Sequence, residues 1–112
     1  MSDWKTKLEN ELQLAADARA RNNEGRARVC ARRAAGIAVR EYLARRSIKT
    51  GSPSAYDLLK TLAGMPDIPA GARSASQYLT LRVDEEFKLP AAVDLIHEAR
   101  ALCEQLLPGE LT

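Results

Sequence analysis

The side chains that could carry chemistry are few: one histidine, two cysteines and a run of arginines with Glu41 set among them. At helical pitch His97 lies opposite the stripe of Leu95, Ala99 and Leu106, so it is expected to face solvent. A histidine serves as a general base only when held against a partner group. Arg100 and Glu104 share its outer side and make an ordinary exposed cluster with it. The chain has no Gly-rich phosphate loop, no paired-cysteine motif and no His–Glu spacing suited to a metal. Its serines stand in no catalytic pattern with histidine or lysine. No catalytic residue, metal site or cofactor is therefore expected, nor a conventional hydrolase.

The arginines are the stronger signal. Net charge is only +2, yet residues 19–49 hold nine Arg and one Lys against Glu24 and Glu41, while residues 82–112 hold three basic and seven acidic side chains. A basic half of this kind attracts nucleic acid or a nucleotide. The competing expectation is that these arginines pair with acids of the last helix or solvate its flanks. Arg26, Arg33 and Arg40 fall on one side of the segment, and Arg28, Arg32 and Arg46 on another. Glu41 projects beside Ala34 and Ile37 rather than among the arginines, and a carboxylate there needs a partner. Arg45, one turn on, makes an i,i+4 pair the simplest account, with a polar pocket between helices as the alternative.

The element that must position these groups runs from Glu24 to Arg46, free of proline and dense in alanine. It is expected to be one long central helix, facing the core with Ala27, Cys30, Ala31, Ala34, Ala38 and Tyr42. On its far side Val29, Gly36 and Leu43 recur at seven-residue spacing. Two apolar stripes imply contact on both sides, and the second is read as a subunit contact in a homodimer, the alternative being ordinary exposed apolar residues. A first helix is expected from a Ser2 cap to about Ala20, antiparallel to the central one across Asn22-Asn23. Ser52-Pro53 opens a short third helix to about Ala63. A fourth spans about Ala70 to Leu81, and a fifth runs from Pro90 to about Leu107. Met65 and Ile68 are expected to plug a gap between the third and fourth.

Hydrophobic residues make up 46% of the chain and aromatics only 4%, so the core is expected to be Leu, Ala, Val and Ile between close-packed helices. The fold class that follows is all-α, an antiparallel bundle of about five helices forming one domain over residues 1–112. Cys30 and Cys103 fall on inward faces and are expected as free, buried thiols. No apolar run follows a basic start, and none nears the roughly 20 residues that span a bilayer. A cytoplasmic location without membrane contact is expected.

Three stretches resemble the HEPN family of small helical domains. Arg33-Ala34-Ala35-Gly36-Ile37-Ala38-Val39-Arg40-Glu41-Tyr42-Leu43 is similar to that family's second helix, and Tyr56-Asp57-Leu58-Leu59 resembles its His-Asp-Leu element with the histidine replaced. Leu79-Thr80-Leu81-Arg82 through Leu89-Pro90, Asp94 and Ala99 resembles its arginine-containing connection into a Pro-led last helix. The resemblance implies a HEPN-like bundle, commonly homodimeric, associated with nucleotides or RNA and often with a nucleotidyltransferase partner. Many members are ribonucleases through an arginine separated from a following histidine by four to six intervening residues. Here positions 90, 91 and 92 before His97 are Pro, Ala and Ala, so that pair is missing. The expected function is a non-catalytic module that homodimerises through Val29, Gly36 and Leu43. It would bind nucleotide or RNA through Arg32, Arg33, Arg40 and Asp57 at an interhelical groove. The alternatives are a protein-interaction partner without nucleic acid and, behind it, a divergent ribonuclease.

Overall fold

The structure, a computed structural model, describes residues 3–81 and 93–110. Five helices account for most of them: α1 Trp4–Ala20, α2 Glu24–Arg45, α3 Ala55–Ala63, α4 Ala70–Leu79 and α5 Leu95–Leu106. There is no strand among the described residues, and the fold is an all-helical bundle. None of the described helices is long and apolar enough to cross a membrane.

α2 is the axis of the bundle because alanine lets neighbours approach from several directions. Ala27, Ala31, Ala34, Ala35 and Ala38 are each at most 1% exposed, and α1, α3 and α5 all pack on this helix. Small side chains leave shallow grooves into which the leucines of its partners fit, among them Leu8 and Leu12 of α1 and Leu95 and Leu102 of α5. α4 completes the bundle against α3 and α5. Both cysteines are buried and free, as their inward phase implies. Met65 and Ile68 pack on the core cluster between α3 and α4, as expected.

The helix ends show which polar residues are structural. Asn23 caps α2 by accepting the Arg26 N–H at 3.2 Å. The third helix begins two residues later than Ser52-Pro53 suggests. Ser54 is its cap, accepting the Asp57 N–H at 3.3 Å, while the Ser52 hydroxyl donates to the Asp57 carboxylate at 2.8 Å. Ser54 and Asp57 have the spacing of a capping box, and this decides the start. Val93 and Asp94 are not helical, so the last helix does not run unbroken from Pro90. Its described start is set by Asp94, which accepts the N–H groups of Ile96 and His97. Pro90 itself, Ser2, Arg82, Phe87 and Leu89 lie outside the described residues.

Arginines close the other ends. Arg32 of α2 donates to the Leu79 carbonyl at 2.6 Å and the Leu81 carbonyl at 2.7 Å. Arg73 does the same for α3, reaching the carbonyls of Ala63 and Met65. The last carbonyls of a helix have no intrahelical donor and carry partial negative charge, so a forked cation there satisfies both needs. Two buried side-chain atoms have no hydrogen-bond partner among the described residues, Glu11 Oε2 and the Ser76 hydroxyl, the latter on a fully buried residue of α4.

Arg19 joins the α1–α2 turn to the start of α5, donating to Glu24 and to Asp94 at 2.9 Å each. Arg19 holds the Glu24 carboxyl below its ordinary pKa against the opposing effect of burial. Burial alone would raise the Asp94 pKa, but hydrogen bonds from Arg19 and from the His97 and Ile96 N–H groups outweigh it and lower it. Both groups take up protons more readily when unfolded, so their contribution is complete above their ordinary pKa values, 4.5 for Glu24 and 3.8 for Asp94. It is lost as pH falls through those values toward the lower folded ones. Urea midpoints measured across that range should therefore drop with acidification, and Arg19→Gln should drop less steeply. Equal slopes for the two proteins would show that this cluster contributes no pH dependence.

Candidate anion-binding groove

Residues of α1, of α2 and of the start of α3 line one groove of about 750 Å³. Its floor is apolar, with Gly36 and Ile37 of α2 and Leu58 of α3. Arg33 and Arg40 of α2 line it, seven residues apart and therefore on one face, about 10 Å apart along the axis. α1 contributes Asp3, Trp4, Lys7 and Glu11, and Pro53, Ser54 and Ala55 close the end at α3.

The charged groups in the groove differ in how far they are already engaged. The side chains of Arg33, Arg40 and Lys7 make no hydrogen bond or ion pair among the described residues. Glu41, in contrast, accepts from Arg45 at 2.8 Å, the i,i+4 pair its position implies. Arg45 is itself committed three ways. It also forks onto Glu110 beyond α5 and lies 5.7 Å from the centre of the Trp4 ring. Its link to Glu110 is the pairing of the basic helix with the acidic end of the chain that the charge distribution suggests. Arg46 is bound by Asp67 and Tyr42. Glu11 is half-buried, and its Oε2, closed to solvent, has no hydrogen-bond partner among the described residues.

Cys30 is buried and does not line the groove, but Glu11 and Arg33, which do, both act on its thiol. Burial raises its thiol pKa first, and the Glu11 carboxylate raises it further against the opposing influence of Arg26 and Arg33. Cys103 is pushed up to about 11 by burial and by Glu104 and Glu110. Neither thiol is primed as a nucleophile at neutral pH. His97 is exposed, and it does not line the groove. The arrangement can hold charge and hydrogen-bond a ligand; it presents no activated nucleophile beside a base.

The residues singled out from sequence are thus divided. Arg33 and Arg40 come together in the groove. Arg32 does not join them, because its guanidinium is spent on the α4 carbonyls. Asp57 lies outside the lining and serves the α3 cap with Ser52. The stripe read as a subunit contact is broken up by α3. Leu43 is fully buried, and a Cβ at Gly36 would stand 2.7 Å from the Ala55 Cβ, so these two positions are covered by their own chain. Val29 alone stays open, at 40% exposed. The close approach expected at Gly36 is real, but the approaching backbone is that of α3.

Lys7, Glu11 and Trp4 were not singled out as ligand contacts. Their signal is the α1 phase: three, four and seven residues apart, they flank the Leu8–Leu12–Ala15 stripe on one side. Hairpin register then sets α1 residues against α2 residues, as the Arg19–Glu24 bond shows at the turn. Comparison with family models, with curated proteins and with solved structures finds no match to this chain.

Proposed function

We propose that this protein is a non-catalytic, HEPN-like helical module that binds the phosphates of a nucleotide or of RNA in the α1–α2–α3 groove. The observation carrying this reading is that Arg33, Arg40 and Lys7 line one cavity without partners among the described residues, whereas Arg19, Arg32, Arg45, Arg46 and Arg73 are all bound within the fold. A volume of about 750 Å³ is in the range of small-molecule sites. Exposed arginines are individually uninformative, and Arg33, Arg40 and Lys7 are matched in number by Asp3, Glu11 and Glu41 in the same lining, so the groove offers separate cationic donors rather than a net positive charge.

The test is calorimetric titration at low salt with the four ribonucleoside monophosphates and with short single-stranded RNA. Binding should weaken as salt rises, because phosphate neutralisation releases counterions. Absence of heat with every ligand at low salt would end the proposal. A second reading, a protein partner such as a nucleotidyltransferase or a second copy of the chain, draws on Leu14 and Val29, 41% and 40% exposed on α1 and α2. Recovery of a stoichiometric protein together with failed ligand titration would favour it.

A further inference from the structure

Phosphate contacts account for the cations of the groove but not for the ring beside them. Trp4 is half-buried, packs on the core cluster and is the only aromatic side chain in the groove lining among the described residues. Lys5 Nζ and the Arg45 guanidinium stand over this ring, 5.8 and 5.7 Å from its centre. Both also reach the same Glu110 oxygen, at 3.9 and 2.8 Å, which cations over opposite faces at those heights could not do. They therefore share one side of the ring. Lys5, Arg45 and Glu110 do not line the groove. The ring surface that the groove receives is thus the part with no cation over it.

The charges along the groove orient a ligand on that surface. Arg19 of α1 bonds Glu24 of α2 at the turn, and counting away from that pair along both helices sets Trp4 level with Val39 and Lys7 level with Gly36. Asp3 and Glu41 consequently lie at the Trp4 end of the groove. Lys7 is about one turn, and Arg33 about two turns, nearer the hairpin connection. A phosphate is repelled by the two carboxylates at the first end and drawn toward Lys7 and Arg33 at the other. Glu11 is the one carboxylate there, and one of its oxygens is closed to solvent. An uncharged ring joined to that phosphate through a sugar falls on Trp4.

Resting on the reading of this groove as a nucleotide site, we propose that Trp4 is its stacking platform. The nucleobase lies against the indole and the phosphate lies toward Lys7 and Arg33, while Arg40, level with Trp4 to within a residue, stands beside the base. Every base has a π face, so this contact selects a phosphate that carries an aromatic ring and does not choose among bases. In an RNA strand the same contact takes an unpaired base.

Trp4 is the only tryptophan of the chain, so the wild-type protein reports on the contact directly. Its emission, excited where nucleotides do not absorb, is followed during titration with AMP, UMP, ribose 5-phosphate and inorganic phosphate under one low-salt condition, with calorimetry for affinity. AMP and UMP should quench the emission and bind about fivefold or more tightly than ribose 5-phosphate, the lower end of what base–aromatic stacking supplies. Ribose 5-phosphate should bind without quenching. Trp4→Leu should bring AMP to the level of ribose 5-phosphate while leaving ribose 5-phosphate within about twofold of wild type, a pattern that general loss of structure would not give. Trp4→Phe keeps an aromatic face and should retain most of the preference. Equal affinity for AMP and ribose 5-phosphate, or the same change of emission with both, would overturn the role of Trp4 and leave the phosphate site standing. An AMP preference unchanged in Trp4→Leu would overturn it as well. No binding of any of the four ligands would remove the phosphate reading and the stacking role with it.

Discussion

Gly36→Leu is expected to destabilise the fold by about 3 kcal/mol or more, at or beyond the upper end of overpacking effects. The reason is the crossing of α2 and α3. A Cβ at this position would lie 2.7 Å from the Ala55 Cβ and 3.0 Å from the Ala55 Cα, and the second of these atoms is backbone. No rotamer change in α3 can relieve the contact, so the helix itself must move. Moving it opens the seam between Leu58, Leu59 and Leu62 of α3 and the core cluster they belong to. A domain of this size has a total stability of about 5–15 kcal/mol, so the loss is a large share of it. Gly36→Ala gives the sharper test of sign. Alanine in a helix interior gains about 1 kcal/mol over glycine in propensity, and the clash must exceed that gain for the variant to be less stable than wild type. Urea denaturation should show a lower midpoint for Gly36→Ala and partial recovery in the double variant Gly36→Ala, Ala55→Gly, which removes the opposing methyl. If Gly36→Ala is instead the more stable protein, α3 does not sit as close to α2 as described.

The same residue shows how much of the molecule is legible in its sequence. Alanine spacing and the absence of proline mark α2 to within a residue of its observed end, and the inward phase of Cys30, Ala31, Ala34 and Ala38 follows from pitch alone. A glycine between Val29 and Leu43 equally announces a close contact. What periodicity cannot supply is the identity of the neighbour, because α3 reaches Gly36 only through a turn whose geometry depends on Ser52, Ser54 and Asp57 acting together. The start of α5 is missed for a related reason. Pro90 lies outside the described residues, while Asp94 supplies the side-chain cap of the described helix and is itself held by Arg19, a tertiary contact that local spacing does not announce. In the groove, Arg33 and Arg40 are legible because they share a face of one helix. Lys7 and Glu11 belong to another helix, and bringing them opposite requires the hairpin register.

Arg32 and Arg33 are adjacent in sequence and indistinguishable by charge, yet their replacement should have opposite consequences. Arg32→Ala removes two charge-assisted bonds to the carbonyls of Leu79 and Leu81 and leaves the end of α4 without those donors. Hydrogen bonds to a charged group are worth about 1.5–3 kcal/mol each. The Arg32 side chain is only partly buried, so a combined loss of about 2–3 kcal/mol is expected, read as a lower urea midpoint. Arg32→Lys should recover little of it, since a single ammonium group cannot reach two carbonyls in the planar geometry of the fork. Arg33→Ala removes an exposed side chain without partners among the described residues, and stability should stay within about 0.5 kcal/mol of wild type. Nucleotide titration should reverse the order. Arg33→Ala should weaken binding by about tenfold or more, in line with the loss of a charge-assisted contact, while Arg32→Ala, assayed below its unfolding transition, should bind as wild type does. The pair separates charge that holds the bundle together from charge held out for a ligand. If Arg32→Ala loses the ligand at unchanged stability, its guanidinium is not committed to α4, and the assignment of the groove to Arg33, Arg40 and Lys7 fails with it.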